Sequence, residues 1–323
     1  NCSVNQVGVN VAKCLVACSP GSEVRGPRIV RGASHCLRGE NYGQDGDGLG
    51  DAGLPEPPAA LVPRVGLNGE REAAVEIIAL CREASSVGAV VCLVMLGPLT
   101  NLALALQQEP KLRAMLPQLV VMGGCGNGHG NYGRATEFNI MADPEAAAKV
   151  FTTDWPDLTV ASWETSLASF VPWPVFDKLL YSKEGKRSKV GRFLGAVCHW
   201  EFVEGREQPA ENKVCLPESK KRKRWPEDPL PRLVDQGSSS ASSSCGAVIC
   251  DAVAVAIALK PEVVRKSCDV HVEVELKGDI TRGQTVVDWG TSCEGAGRQR
   301  RVCWAEELDV EMFCQMLRET VAA

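Results

Sequence analysis

Apolar residues along this chain fall into short dense runs, each followed by a polar or glycine-rich break and then by a helical pattern. Gln118–Gly123 (QLVVMG), Ala89–Leu96 (AVVCLVML) and the shorter Ala247–Cys250 (AVIC) are runs of the buried-strand kind. After the first, Asp143, Pro144 and Glu145 read as the N-cap, first-turn proline and first-turn acid of the helix AAAKVF. After the second, Gly97 and Pro98 open LTNLALALQQ with proline at the first helical position. After the third, the Asp251 carboxylate is placed to cap AVAVAIALK, a helix apolar on nearly every face that must end before Pro261. Glu70–Glu83 and Leu308–Val321 carry apolar faces at helical spacing, as packing helices do. Asp269–Leu276 (DVHVEVEL) alternates like a strand with one wet face, which turns His271 toward solvent. Strand-then-helix units repeated in this way predict an α/β fold with a doubly wound, mostly parallel sheet, whose ligands gather at the carboxyl ends of its strands.

The chemistry concentrates in Asn131–Glu145 (NYGRATEFNIMADPE). It follows five glycines between Gly123 and Gly130 that let backbone approach a ligand. Asn131, Glu137 and Asn139 each offer groups that hydrogen-bond vicinal hydroxyls, so the segment reads as one wall of a ribose pocket. Leu96 and Asp251, at the ends of the other two runs, come to the same edge.

Composition removes several alternatives. A net charge of -5 gives no general affinity for nucleic acid, and no apolar run approaches membrane length. The chain is long enough for one large domain over residues 1–323. Its 15 cysteines are scattered through core-like segments without a CxxC pair, which favours reduced thiols over bridges or zinc. Residues 204–244 turn to Glu, Lys, Arg, Pro and Ser and are expected to be a disordered insertion. Within it, KKRKR at Lys220–Arg224 has one neighbouring aromatic, Trp225, and reads as solvated charge rather than a nucleic-acid patch. The DGDGLGD run at Asp45–Asp51 lacks the spacing and terminal glutamate of a twelve-residue calcium loop.

Four separated segments, GPLTNLA (Gly97–Ala103), GNYGRATEFNIMADPEAA (Gly130–Ala147), CDAVAVA (Cys250–Ala256) and TRGQTVVD (Thr281–Asp288), resemble the inosine-uridine-preferring nucleoside hydrolases. The opening NCSVNQVGVNVAKCL and YGQDGDGLGD (Tyr42–Asp51) are similar to family segments too. The resemblance implies hydrolysis of the N-glycosidic bond of ribonucleosides such as inosine or uridine, a bound Ca²⁺, a homodimer or homotetramer, and a cytoplasmic location. It places the metal on Asp251 and the Leu96 backbone carbonyl, and the ribose on Asn1, Asn131, Glu137, Asn139 and Asp251. Family members begin with a strand ending in an aspartate cluster of DxDxxxDD form, which has no match here. The expectation is therefore a fold whose first βα unit is absent and a chain impaired in holding Ca²⁺. Where many members have histidine beside the metal aspartate, this chain has Cys250, the family's cysteine variant. Its thiol is either a proton donor to the departing base or a small apolar residue. With Asp251 and Glu137 it forms the expected catalytic set, and His129, in the glycine-rich loop, is a lesser candidate donor. The rival expectation is a catalytically inactive member that binds nucleosides or serves as a scaffold.

Overall fold

The computed structural model describes residues 2–19, 27–39, 47–49, 52–62, 72–180, 189–197, 246–290 and 302–322. Asn1, the 204–244 segment with its basic run, and most of Asp45–Asp51 lie outside them. In chain order the elements are α1 (Val4–Cys18), α2 (Glu72–Val87), β1 (Cys92–Met95), α3 (Thr100–Gln108), α4 (Leu112–Met115), β2 (Gln118–Met122), α5 (Phe138–Ala142), α6 (Pro144–Phe151) and β3 (Leu158–Ala161). They continue with α7 (Trp163–Ala168), β4 (Val171–Pro172), α8 (Trp173–Leu180), α9 (Lys189–Val197), β5 (Gly246–Ala247) and α10 (Cys250–Leu259). The last are β6 (Val264–Val274), β7 (Thr285–Asp288), β8 (Val302–Leu308) and α11 (Val310–Ala322).

Six strands form a mixed sheet in the order β1-β2-β3-β8-β6-β7, and β4 and β5 make a separate antiparallel pair. Pairing is parallel from β1 through β8 and antiparallel from β8 to β6 and β7. β2 shows why the sheet is covered on both sides. Its pleat sends Leu119 and Val121 into one core with α3 and α6, and Val120 and Met122 into a second core with α8, α10 and α11. This is the doubly wound arrangement expected from the repeated strand-helix pattern. No helix among the described residues is long and apolar enough to cross a membrane.

Several boundaries differ from the pattern-based expectation. The run Ala89–Leu96 yields only Cys92–Met95 as strand, and Val90 before it is 75% exposed, because among the described residues β1 pairs with β2 alone. Pro98 lies one residue before the N-cap Leu99, not inside α3. The run Ala247–Cys250 is mostly not strand: β5 stops at Ala247 and Cys250 is the first residue of α10. The third strand end is thus a helix N-terminus packed on β1, β2 and β3. His271 is buried rather than solvent-facing, with its Nε2 3.2 Å from Glu273 Oε1. The alternation in DVHVEVEL had correctly grouped His271 with Glu273 on one face, but that face is covered at His271.

Segment 27–39 is held to the N-terminal ends of α3 and α6 largely by side chains. Asp143, fully buried, caps α6 by accepting from Ala146 N at 3.0 Å. Its other oxygen accepts from Leu37 N at 2.9 Å and Thr100 Oγ1 at 2.7 Å. Asn101 accepts from Ala33 N at 2.9 Å. Glu145 meets Arg38 at 2.7 Å and Arg282 through both carboxylate oxygens at 2.7 and 2.9 Å. Much of GPLTN and of ADPE thus serves to anchor this segment.

Candidate active site

The site begins where β2 ends. Gly123 N donates to Ala161 O at 3.1 Å and Trp163 N to Gly124 O at 2.9 Å, so the loop leaves along the carboxyl end of β3. It then turns back through an antiparallel bridge between Tyr132 and Thr136. Gly130 is required there, since a Cβ would stand 1.8 Å from Thr136 O. The turn delivers Glu137 to the N-terminus of α5.

Glu137 is 1% exposed and works as the N-cap of α5. Its Oε2 accepts from Gly124 N at 3.1 Å, Asn139 N at 2.9 Å and Ile140 N at 3.3 Å, and among the described residues these bonds fall on that one oxygen. Burial pushes its carboxyl above the ordinary range, the three amides pull it back, and the nearby Asp251 adds to the upward shift. Asn139 spans two strand ends: its Nδ2 donates to Met122 O at 3.2 Å and reaches Leu96 O at 3.5 Å. That leaves its Oδ1 as the acceptor for a ligand. Asn131 is exposed, and its Oδ1 accepts from Phe138 N at 2.8 Å.

Asp251 does not cap α10. Ile249 holds the N-cap position without a side-chain bond, and Asp251 sits in the first turn, where the partial positive charge of the helix end favours an anion. Its side chain is open to solvent at the mouth of the site, yet enough protein flanks the carboxyl for desolvation to raise it above the usual carboxylate value. A carboxylate not used as a cap is available to a ligand. Beside it, burial pushes the Cys250 thiol up to about 11, helped by Asp251 and Glu137 and opposed by a hydrogen bond from Ser166. Leu96 is 37% exposed just past β1, so its carbonyl lies at the edge where Asn139 ends.

The structure therefore brings together Leu96, Glu137, Asn139, Cys250 and Asp251, with Asn131 on the outer rim. His129 does not join them: it is exposed in the loop, its own N–H donating to Asn127 Oδ1 at 2.9 Å. Ser166 had not been singled out in the sequence. It lies on α7, whose capping box pairs Ser162 with Thr165, and the spacing SxxTS was the available signal. Among the described residues no three His, Cys, Asp or Glu side chains are grouped as metal ligands.

Known proteins share this fold. The solved structure of an inosine-guanosine nucleoside hydrolase superposes with a TM-score of 0.74 at 32% identity, covering 99% of this chain and 87% of that one. A purine-preferring ribonucleoside hydrolase from Gardnerella vaginalis, 19% identical with a TM-score of 0.65 over 99% of this chain and 95% of its own, shares the fold. A non-specific ribonucleoside hydrolase of Shigella boydii is 32% identical over 234 residues, 72% of this chain. The chain spans 60% of the length of that relative. The family model described as inosine-uridine preferring nucleoside hydrolase matches residues 1–315, a span that contains the glycine-rich turn, the Glu137 cap and the Cys250–Asp251 helix end. By sequence and fold, the chain belongs to the inosine-uridine preferring nucleoside hydrolase family.

Proposed function

We propose that the protein hydrolyses the N-glycosidic bond of ribonucleosides, releasing ribose and free base. The observation that carries this reading is the convergence of Glu137, Asn139 and Asp251 at the carboxyl ends of β1 and β2, on helix starts from two distant parts of the chain. Their free acceptor atoms suit the ribose hydroxyls, with Asn131 at the rim. Cleavage of a ribosyl C–N bond develops positive charge on the sugar, so carboxylates fixed beside the ring stabilise the transition state more than the bound substrate. Glu137 is held for this by three backbone amides that exist before any ligand arrives.

Cys250, with its thiol near 11, carries its proton throughout the neutral range. This suits a proton donor to the departing base and is opposed to a thiolate nucleophile. The ion implied by the family is Ca²⁺, which takes about six to eight oxygens. The described residues offer one carboxylate, Asp251, and the Leu96 carbonyl, and do not fit such an ion by themselves. Further ligands would have to come from residues outside the described set.

The test is release of base and reducing sugar from inosine and from uridine by the purified protein, with and without Ca²⁺. Asn139→Ala is expected to lower kcat/KM by tenfold or more through the lost sugar contact, about 1.4 kcal/mol. A protein that binds nucleoside without releasing base would support the inactive-binder reading. One that does neither would sink both.

A further inference from the structure

A cavity of about 240 Å³ is lined in part by the glycine-rich loop and contains none of Asn131, Glu137, Asn139, Cys250 or Asp251. Gly126, Asn127, Glu164, Trp289, Trp304 and Glu306 are among its lining residues. The two indoles meet edge to face with centroids 6.0 Å apart at 81°, and Trp289, 50% exposed and backed by the buried Trp304, presents the aromatic surface to this space. Gly126 leaves room for this, since a Cβ there would stand 2.6 Å from the Trp289 ring.

The carboxylates in the wall are not equivalent. Glu306 is neutralised from outside the cavity: its Oε2 lies 2.6 Å from Lys266 Nζ, and its Oε1 accepts from the Cys268 thiol at 3.5 Å. The lysine holds its carboxyl below the ordinary range. Glu164 has no such counterion among the described residues. Its Oε1 accepts from Asn127 N at 3.0 Å, while its Oε2 is buried without a hydrogen-bond partner. An unpartnered buried carboxylate oxygen is costly, and a donor that also carries positive charge satisfies it best. The exposed Trp289 ring in the same wall attracts the same kind of group through its quadrupole.

We propose that this cavity is a binding site for a small organic cation with N–H donors, a guanidinium or primary ammonium group held by the Glu164 carboxylate and packed against Trp289. The need to donate to the carboxylate distinguishes this class from a quaternary ammonium, which would use the Trp289 indole alone. The inference does not rest on the nucleoside reading, because the two sites share no side chain.

The experiment titrates the whole protein with methylguanidinium, n-butylammonium, tetramethylammonium and the uncharged N-methylurea, following tryptophan fluorescence and calorimetry. Saturable binding of the first two is expected, with tetramethylammonium weaker and N-methylurea silent. Glu164→Gln, which keeps an acceptor for Asn127 N, should weaken binding about tenfold or more. Trp289→Phe should weaken it less, and neither variant should melt below the wild-type temperature, which separates loss of a ligand contact from loss of the fold. Equal binding of N-methylurea, an unchanged affinity in Glu164→Gln, or no saturation by either N–H cation up to about 10 mM would each overturn the proposal.

Discussion

Asp143→Asn isolates the network that holds segment 27–39. The substitution preserves size and leaves Oδ1 to cap Ala146, but it puts an amide NH₂ where Oδ2 now accepts from the Leu37 N–H and the Thr100 hydroxyl. The Leu37 N–H then faces a donor and is left unpaired. The hydroxyl can rotate to accept from the new amide and recover part of its bond. A charge-assisted hydrogen bond contributes about 1.5–3 kcal/mol, and an orphaned buried donor costs about 1–3 kcal/mol. Allowing for the hydroxyl, the expected loss is about 2–4 kcal/mol, or roughly 1 M in the urea midpoint. Equilibrium unfolding followed by circular dichroism measures it, and hydrogen exchange of the Leu37 amide should show protection in the wild type and its loss in the variant. Thr100→Val alone should cost about 1–2 kcal/mol, and the two changes together less than their sum, because they share a bond. A variant within about 0.5 kcal/mol of wild type, or strict additivity in the double variant, would refute the reasoning.

Gly130→Ala should destabilise the protein by more than about 3 kcal/mol, seen as a lower Tm, because Thr136 O stands where the methyl must go. Glu137→Gln should lower kcat/KM for base release by about a hundredfold or more while nucleoside binding weakens less. Because Glu137 is raised above the ordinary carboxylate value, its charged form is lost as pH falls through that raised value. The acid limb of kcat/KM is therefore expected above about 4.5, and a limb below about 4 would show that another group governs it. The same shift makes ionised Glu137 unfavourable to the fold, so its contribution to stability declines as pH rises from the unfolded toward the folded pKa. Cys250, with a thiol near 11, should react with iodoacetamide at pH 7 about a hundredfold more slowly than an ordinary thiol, as peptide mapping can show.

The site was legible in the sequence where its parts are local. The strand Gln118–Met122, the loop that follows and the Asp143–Pro144–Glu145 start of α6 all lie within one stretch, so cap and turn chemistry identify them directly. Glu137 could be read as a site residue but not as the cap of α5, because the same carboxylate does both. Asp251 failed in the opposite sense: an aspartate near a helix start reads as a cap, and only the backbone shows that Ile249 occupies that position. The second oxygen of Asp143 binds Leu37, 106 residues earlier, and no local pattern signals such a bond. His271 shows the limit of alternation, which says which residues share a face but not what lies over it.

β8 has a consequence for how the molecule is made. Among the described residues, the order β1-β2-β3-β8-β6-β7 leaves two blocks of strands joined only by Val302–Leu308, which is synthesised after the strands on either side of it. While the ribosome is still making residues 275–301, β3 and β6 both display unpaired edges, and Val270, Val272 and Val160 lack the cover that Val302 and Trp304 later provide. The nascent protein is thus exposed to sticking and to chaperone capture until β8 slides into the gap, and a ribosome that stalls there would release a sheet in two halves.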